Sequence, residues 1–272
     1  ASTAIHSKAF NLDKAITQAQ NALLRLQNPQ GYWVFELEAD CTIPAEYIMM
    51  MHYLGDIDEN LQAKIAVYLR SRQNEDGSYP LFTHGIGEIS CSVKVYYALK
   101  MAGDDIHLPH MTKLREWILR QGGAAKANVF TRIALATFEQ LPWRGVPYIP
   151  VEIMLFPKWF PFHIDKVSYW SRTVMIPLFI LCTLKATAKN PHSISVVELF
   201  VTHPDEEQHY FPERTLLNKF FLGLDKLGRI TRPLIPKKAH ELAIQKAHDW
   251  FVERLNGEDG LGAIFPAMVN AY

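Results

Sequence analysis

The chain has 272 residues, 49% hydrophobic and 21% charged, which is enough apolar material for one large core or two small ones. Lys and Arg total 28 and Asp and Glu total 28, so no basic field is present to attract nucleic acid. The three cysteines, Cys41, Cys91 and Cys182, are odd in number and far apart, which reads as buried thiols in a reducing compartment and not as a disulfide framework.

Ala1 to Phe10 lacks the apolar run of a secretory signal. Asn11 is a candidate N-cap for a helix over Leu12–Leu26, whose apolar positions include Ile16, Ala19, Leu23 and Leu26. That helix runs out in LRLQNPQGYW, residues 24–33. A strongly apolar helix is predicted over Thr42–Leu54, then a turn at 55–58, in which the acidic group Asp56, Asp58 and Glu59 reads as a solvated turn and N-cap. The next helix, Asn60–Arg72, ends in YLRSRQNEDGSY, residues 68–79. Ile89–Met101 is again mostly apolar. Asp104-Asp105 reads as a second solvated turn, and Met111–Gln121 as a helix ending in WILRQGG, residues 117–123.

These endings form a repeat. Gln27, Gln73 and Gln121 lie 46 and 48 residues apart, and a degenerate copy, with Leu255 in the Gln position and Gly262 near the aromatic one, stands 134 residues on. A period this long with helical flanks means stacked helix pairs. In each copy the Gly suits the left-handed closure of a helix. The Gln amide can both donate and accept, so it can satisfy orphan groups at neighbouring helix ends, and the Trp or Tyr would cover it with an apolar face. Polar-faced helices alternate with mostly apolar ones, which suits an inner ring of helices inside an outer ring, and no convincing strand pattern appears.

Leu141 to Phe162 is dense in Pro and aromatic residues and is expected to be a packed loop or short helices. Tyr169–Leu184 returns as a buried helix interrupted by Pro177, too short to span a bilayer. Pro191 to Gln208 looks looser. In His209–Leu227, Leu217, Phe220, Phe221 and Leu224 share one helical face, Leu216 widens it, and Lys219, Lys226 and Arg229 flank it. That pattern suits either a core-facing helix or an interfacial membrane helix. A helix over Lys237–Leu255 and the start of another over Pro266–Tyr272 follow.

Few residues suggest chemistry outright. Glu46, in an apolar helix beside Tyr47, must be paired or perturbed by desolvation, with a structural and a pocket role equally open. Asp40-Cys41 has no His at ligand spacing, no phosphate-binding Gly loop occurs, and neither metal nor other cofactor is expected. Trp170, by composition alone, is a core residue.

The repeat resembles the QW motif of the triterpene cyclases. VFTR at 129–132, PVEIM at 150–154, YWSR at 169–172 and GAIFP at 262–266 are similar to bacterial squalene–hopene cyclases, in that family's order. The resemblance covers nearly the whole chain but only the first, membrane-side portion of such an enzyme. It implies an all-α, α/α-toroid fold, with residues 1–272 as a single domain of a longer two-domain cyclase. It also implies that Leu37, Glu46, Phe130, Trp170, Ile264, Phe265 and Pro266 line a substrate cavity for a squalene-like isoprenoid, and that Val167 and Met175 match a channel constriction. Leu216, Leu217, Phe220, Phe221 and Leu224 would face the membrane, on the cytoplasmic side of a bacterial membrane. The remaining partners are the missing catalytic domain and, left open, a second copy in a homodimer. Electron-rich rings suit a reaction that passes through carbocations. The family's Asp-x-Asp-Asp proton donor is absent from these residues, so no catalytic residue is expected here. Phe265, Asn128 and Ala134 depart from a Gln, an Arg and a Trp of the family, which puts the water network that ends cyclisation in doubt. Two rivals remain at this stage: a non-catalytic toroid that binds, and an α/α-toroid glycoside hydrolase, which would need a second carboxylate opposite Glu46.

Overall fold

The computed structural model describes residues 11–35, 40–161, 163–211, 216–257 and 260–272, with all their side chains except those of residues 216, 217, 219–221 and 224. The described residues are helical, with two isolated bridges, Pro80 to Gly87 and Leu255 to Leu261, and no strand. The chain divides into two compact units, Ala1–Glu38 and Ala39–Tyr272.

The first unit holds α1 (Leu12–Leu26), which Asn11 caps by accepting the Lys14 N–H at 3.0 Å. In the turn that follows, the Gln27 amide donates to Gly31 O at 2.9 Å and the Trp33 indole N–H reaches back to Leu23 O at 2.7 Å. No residue of α1 is buried, and Leu12, Ile16, Leu23 and Leu26 are each at least half exposed.

The second unit contains α2 (Thr42–Leu54), α3 (Glu59–Ser71), α4 (Ile89–Met101), α5 (Pro109–Arg120), α6 (Val129–Thr137), α7 (Tyr169–Leu184), α8 (Leu216–Thr231), α9 (Lys237–Val252) and α10 (Phe265–Ala271). Its core is built around α4, where eleven of the 13 residues are buried, packed chiefly on α2. Both are inner helices in the sequence pattern, and the nearly complete burial of α4 is what an apolar helix requires. The outer helices α3 and α5 each turn one face inward, with Ala66 and Leu69 on α3 and Met111, Leu114, Trp117 and Ile118 on α5. A smaller cluster of Val151, Ile164, Ile176, Phe179, Ala243 and Ala247 joins α7 and α9. Pro177 lies inside α7 without ending it. Residues 141–161 form 3-10 turns at Trp143–Gly145 and Val151–Leu155, and Val146 and Val151 are buried. No described helix is long and apolar enough to cross a membrane.

The repeat has a backbone signature. The residue after the Gln position donates its N–H four residues ahead: Asn28 to Tyr32 O at 2.8 Å, Asn74 to Ser78 O at 3.0 Å, and Asn256 to Gly260 O at 3.1 Å. Leu255 therefore does stand where a Gln stands elsewhere. The Gln73 amide donates to Gly77 O and to His110 O, both at 2.9 Å, so it ties the end of α3 to the start of α5. His110 O lies in the first turn of α5, where the orphan groups are N–H and not C=O. The amide thus adds a donor to a helical carbonyl and rescues no orphan. Gln121 differs: its side chain is exposed, and Gly122 and Gly123 close α5 by donating to Leu119 O and Ile118 O, both at 3.0 Å.

Asp58 caps α3 as expected, accepting the Leu61 N–H at 2.9 Å. Asp104 corrects the reading of a solvated turn. It is buried and accepts from Arg70 Nε at 2.9 Å, from a second Arg70 nitrogen, and from His110 Nε2 at 2.7 Å. Burial alone would raise its carboxyl, but Arg70 and His110 outweigh it and hold the group below its ordinary value. The segment from Pro191 is also less loose than its composition suggests. The Tyr97 hydroxyl donates to Ile194 O at 2.9 Å, Tyr96 to Glu198 Oε1 at 3.0 Å, and Lys100 Nζ to Ser195 O at 2.6 Å, pinning it across α4.

His52 gives a pH test of this core. It is fully buried, with Nε2 2.7 Å from Gln62 Oε1, while Gln62 donates to Glu59 at 3.0 Å, so Nε2 carries the proton, and Nδ1 has no partner among the described residues. Desolvation lowers its pKa from the ordinary 6.5 more than the Gln62 bond raises it. The unfolded chain then binds the proton more readily than the folded one. Stability contributed here is complete above pH 6.5 and falls as pH drops below it. Urea midpoints measured from pH 8 to pH 5 should decline below about 6.5, and His52→Gln should flatten that decline. The Asp104 contribution is lost only at lower pH, below the ordinary carboxylate value of 3.8.

Candidate functional site

Glu46 projects from α2 toward α4, and its Oε1 lies 2.6 Å from Lys94 Nζ. The Lys94 side chain is 5% exposed and that of Glu46 20%. This ion pair joins the two most closely packed helices of the unit. Lys94 went unnoticed in the sequence, although a lysine in the middle of ISCSVKVYYALKM is a usable signal for a buried partner. The mate of Glu46 is a cation, so the two-carboxylate geometry of a glycoside hydrolase is not found at this position.

Next to Glu46, the Tyr47 ring packs against Phe265 with centroids 6.2 Å apart. The chain leading there is tightly constrained. Gly262 has φ +65°, and a Cβ on it would stand 2.8 Å from Thr173 Oγ1 of α7. Ala263 is also left-handed at φ 50°, Ile264 is extended, and Pro266 occupies the first turn of α10, where its missing N–H costs nothing. Ile264 packs on the main core, and α10 lies along α7.

Two of the departures acquire structural roles. Asn128 caps α6, accepting the Thr131 N–H at 2.9 Å, and its own N–H donates to Ser90 Oγ at 2.9 Å. Ala134 packs on the core.

Phe130 and Trp170 each stand second in their helix, α6 and α7, and are 53% and 60% exposed. Among the described residues no ring contact joins either of them to the other or to Phe265. Beside Trp170, Tyr169 faces Trp250 of α9 at 6.1 Å, Arg172 lies over both rings and Arg254 lies 4.2 Å over Trp250. Arg172 also bonds Asp165 at 2.9 Å. This stack fixes the start of α7 to the end of α9, and sequence reasoning missed it because its members are far apart in the chain. Val167 is half-buried between Asp165 and α7, and Met175 packs on the smaller apolar cluster. Leu37 lies outside the described residues, as do the side chains of Leu216, Leu217, Phe220, Phe221 and Leu224.

Two cavities, of about 220 and 480 Å³, have mixed polar linings, and neither includes a predicted wall residue. Cys41, Cys91 and Cys182 are free, and burial pushes each thiol up to about 12. None is a nucleophile at neutral pH. Among the described residues no group of three His, Cys, Asp or Glu could hold a metal.

Residues 16–272 match the squalene–hopene cyclase N-terminal domain. The chain is 48% identical to squalene–hopene cyclase of Bradyrhizobium diazoefficiens over 271 residues, covering 97% of this chain and 41% of that protein. It is also 48% identical to that of Zymomonas mobilis, covering 99% and 41%. With the enzyme of Alicyclobacillus acidocaldarius it shares 31% identity, over 95% and 40%. The chain thus spans about two fifths of the length of these relatives. On this match, and with helices and no strand among its described residues, the chain belongs to the squalene–hopene cyclase N-terminal domain family, whose fold is the α/α toroid.

Proposed function

We propose that this chain forms part of the wall of an apolar cavity in which a squalene-like isoprenoid is cyclised to a hopanoid triterpene, and that the acid starting the reaction belongs to the rest of the enzyme. The observation that carries this reading is the exposure of Phe130 and Trp170 in a chain two fifths the length of its relatives. A polycyclisation needs π-faces near developing positive charge and a site closed to water. Exposed rings at helix starts meet the first requirement once a second wall covers them. Ile264, Phe265 and Pro266 extend the same wall, with Glu46 held against Lys94 at its edge, and Val167 and Met175 narrow the way in. The apolar face of α1 is a contact for the rest of the enzyme, since a lone 15-residue helix with no buried residue is marginal in water. Exposed Leu227, Ile230 and Leu234 in and after α8 support membrane association, from which an isoprenoid would be drawn at the cytoplasmic face of a bacterial membrane.

Product analysis tests the proposal. The 272-residue chain incubated with squalene should give no cyclised product. In an enzyme that contains it, Trp170→Ala should lower turnover about 100-fold or release incompletely cyclised products, and Trp170→Phe should restore most of it. Hopene from the chain alone would remove the division of labour. An unchanged rate and product spectrum in Trp170→Ala would remove the cavity wall.

A further inference from the structure

Between the C-terminal end of α7, the 3-10 turn at Val151–Leu155 and the end of α8 lies the cavity of about 220 Å³. Tyr148, Glu152, Lys185, Arg229, Arg232 and His240 are among its lining residues. Three permanent cations therefore meet one lining carboxylate, with Asp225 just behind Arg229.

Part of this charge is already matched. Glu152 Oε1 lies 2.6 Å from His240 Nδ1, and Asp225 Oδ2 lies 2.6 Å from Arg229 Nε. Asp225 also takes the Tyr148 N–H, and Arg229 donates to Val146 O at 2.5 Å. A larger set of donors is left over. Among the described residues Arg232 reaches only Thr183 O, at 3.4 Å. Arg229 Nη1, Lys185 Nζ and the Tyr148 hydroxyl have no hydrogen-bond partner among the described residues. Arg232 meets the carbonyl end of α7 at Thr183 O, and Lys185, the left-handed residue that closes that helix, adds a second cation beside it. The Tyr148 phenol is raised by burial and by Glu152 and lowered by Arg232 and Arg229, so these groups share one field.

The surroundings say where an anion would come from. Asp225, Gly228 and Arg229 dock α8 on residues 146–148, and a Cβ on Gly228 would stand 2.5 Å from the Tyr148 ring. The side of α8 away from this contact carries Leu227 and Ile230, which are 56% and 64% exposed, and Leu184 and Leu234 next to the lining cations are exposed as well. A pocket rich in unpaired donors and rimmed by bare aliphatic side chains matches a molecule with a charged head and an apolar tail.

We propose that this cavity binds the phosphate of an anionic glycerophospholipid headgroup, with Lys185, Arg232 and Arg229 Nη1 as donors and the leucine and isoleucine rim against the lipid chains. Phosphate suits the site because several oxygens can be met at once by guanidinium and ammonium groups approaching from different elements. The assignment rests on the membrane reading above, and adds to it a headgroup preference.

Vesicle flotation of the 272-residue chain separates the two claims. Vesicles of phosphatidylcholine alone are compared with vesicles containing phosphatidylglycerol. The parent chain should float with both and partition about tenfold better onto the second, with the excess fading at high salt. Lys185→Glu/Arg232→Glu, both at exposed positions, should lose that excess and keep phosphatidylcholine binding, whereas Leu227→Glu/Ile230→Glu should weaken both. Equal preference for phosphatidylglycerol in the parent and the charge-reversed chain would overturn the headgroup site and leave the membrane reading standing. Flotation with neither vesicle would overturn both. Saturable binding of soluble glycerol 3-phosphate, seen by phosphorus NMR in a chain that does not float, would reassign the site to a free phosphate and so reject the lipid.

Discussion

Truncating Glu46 to alanine is expected to destabilise the second unit by about 3 kcal/mol, because it strands the Lys94 ammonium between α2 and α4. The Lys94 side chain is 5% exposed, so water cannot take the place of the carboxylate. Glu46→Gln keeps an acceptor but removes the charge, and should cost about 1–2 kcal/mol. Replacing both partners by apolar residues, Glu46→Leu with Lys94→Met, should return stability to within about 1 kcal/mol of the parent, since neither charge is then desolvated. Urea unfolding of the four proteins checks this. Additive losses in the double variant would mean that the two side chains act separately and that the 2.6 Å contact does not govern either. In a full enzyme the apolar double variant also separates the two roles held open for Glu46: restored stability with altered products would place the carboxylate at the cavity.

Gly77→Ala should be about as severe, at roughly 3–4 kcal/mol. Gly77 has φ +93°, and a Cβ there would stand 2.8 Å from the Lys113 backbone, where α5 comes against the turn that Gln73 holds. Gly103 supplies an internal control. It has the same φ of +93° in the same unit, but nothing lies within 4 Å of its added Cβ. Gly103→Ala should therefore cost only the left-handed strain, about 1–2 kcal/mol. The difference between the two is the worth of the close approach of turn and helix. Equal losses in chemical denaturation would show that conformation alone matters at the repeat.

Much of the helical framework was legible because local chemistry punctuates it. Spaced apolar positions mark Leu12–Leu26, and nearly continuous apolar runs between turn residues mark Thr42–Leu54, Ile89–Met101 and Tyr169–Leu184. α6 was missed as a helix, since at nine residues it is too short for periodicity to stand out, and its Asn128 cap was noticed only as a departure from the family. Partners distant in sequence were the main blind spot. Asp104 looked like a turn residue because Arg70 is 34 positions away, and Glu46 looked unmatched because Lys94 is 48 away. Nothing local encodes such distances. The family resemblance, by contrast, supplied Phe130 and also Trp170, which composition alone assigns to the core, and the structure leaves both exposed.

The strap across α4 has a consequence for how the chain is made. Tyr96 and Tyr97 find their partners 102 and 97 residues downstream. Closing loops of that size is slow and brings no reward until both ends are in hand. A nascent chain that has just emerged through α5 therefore presents α4 with its phenolic edge bare, for a time set by the ribosome and not by the protein. The central helix of the mature unit is in this sense among the last to be sealed, and the interval before sealing is when a chaperone would be needed most.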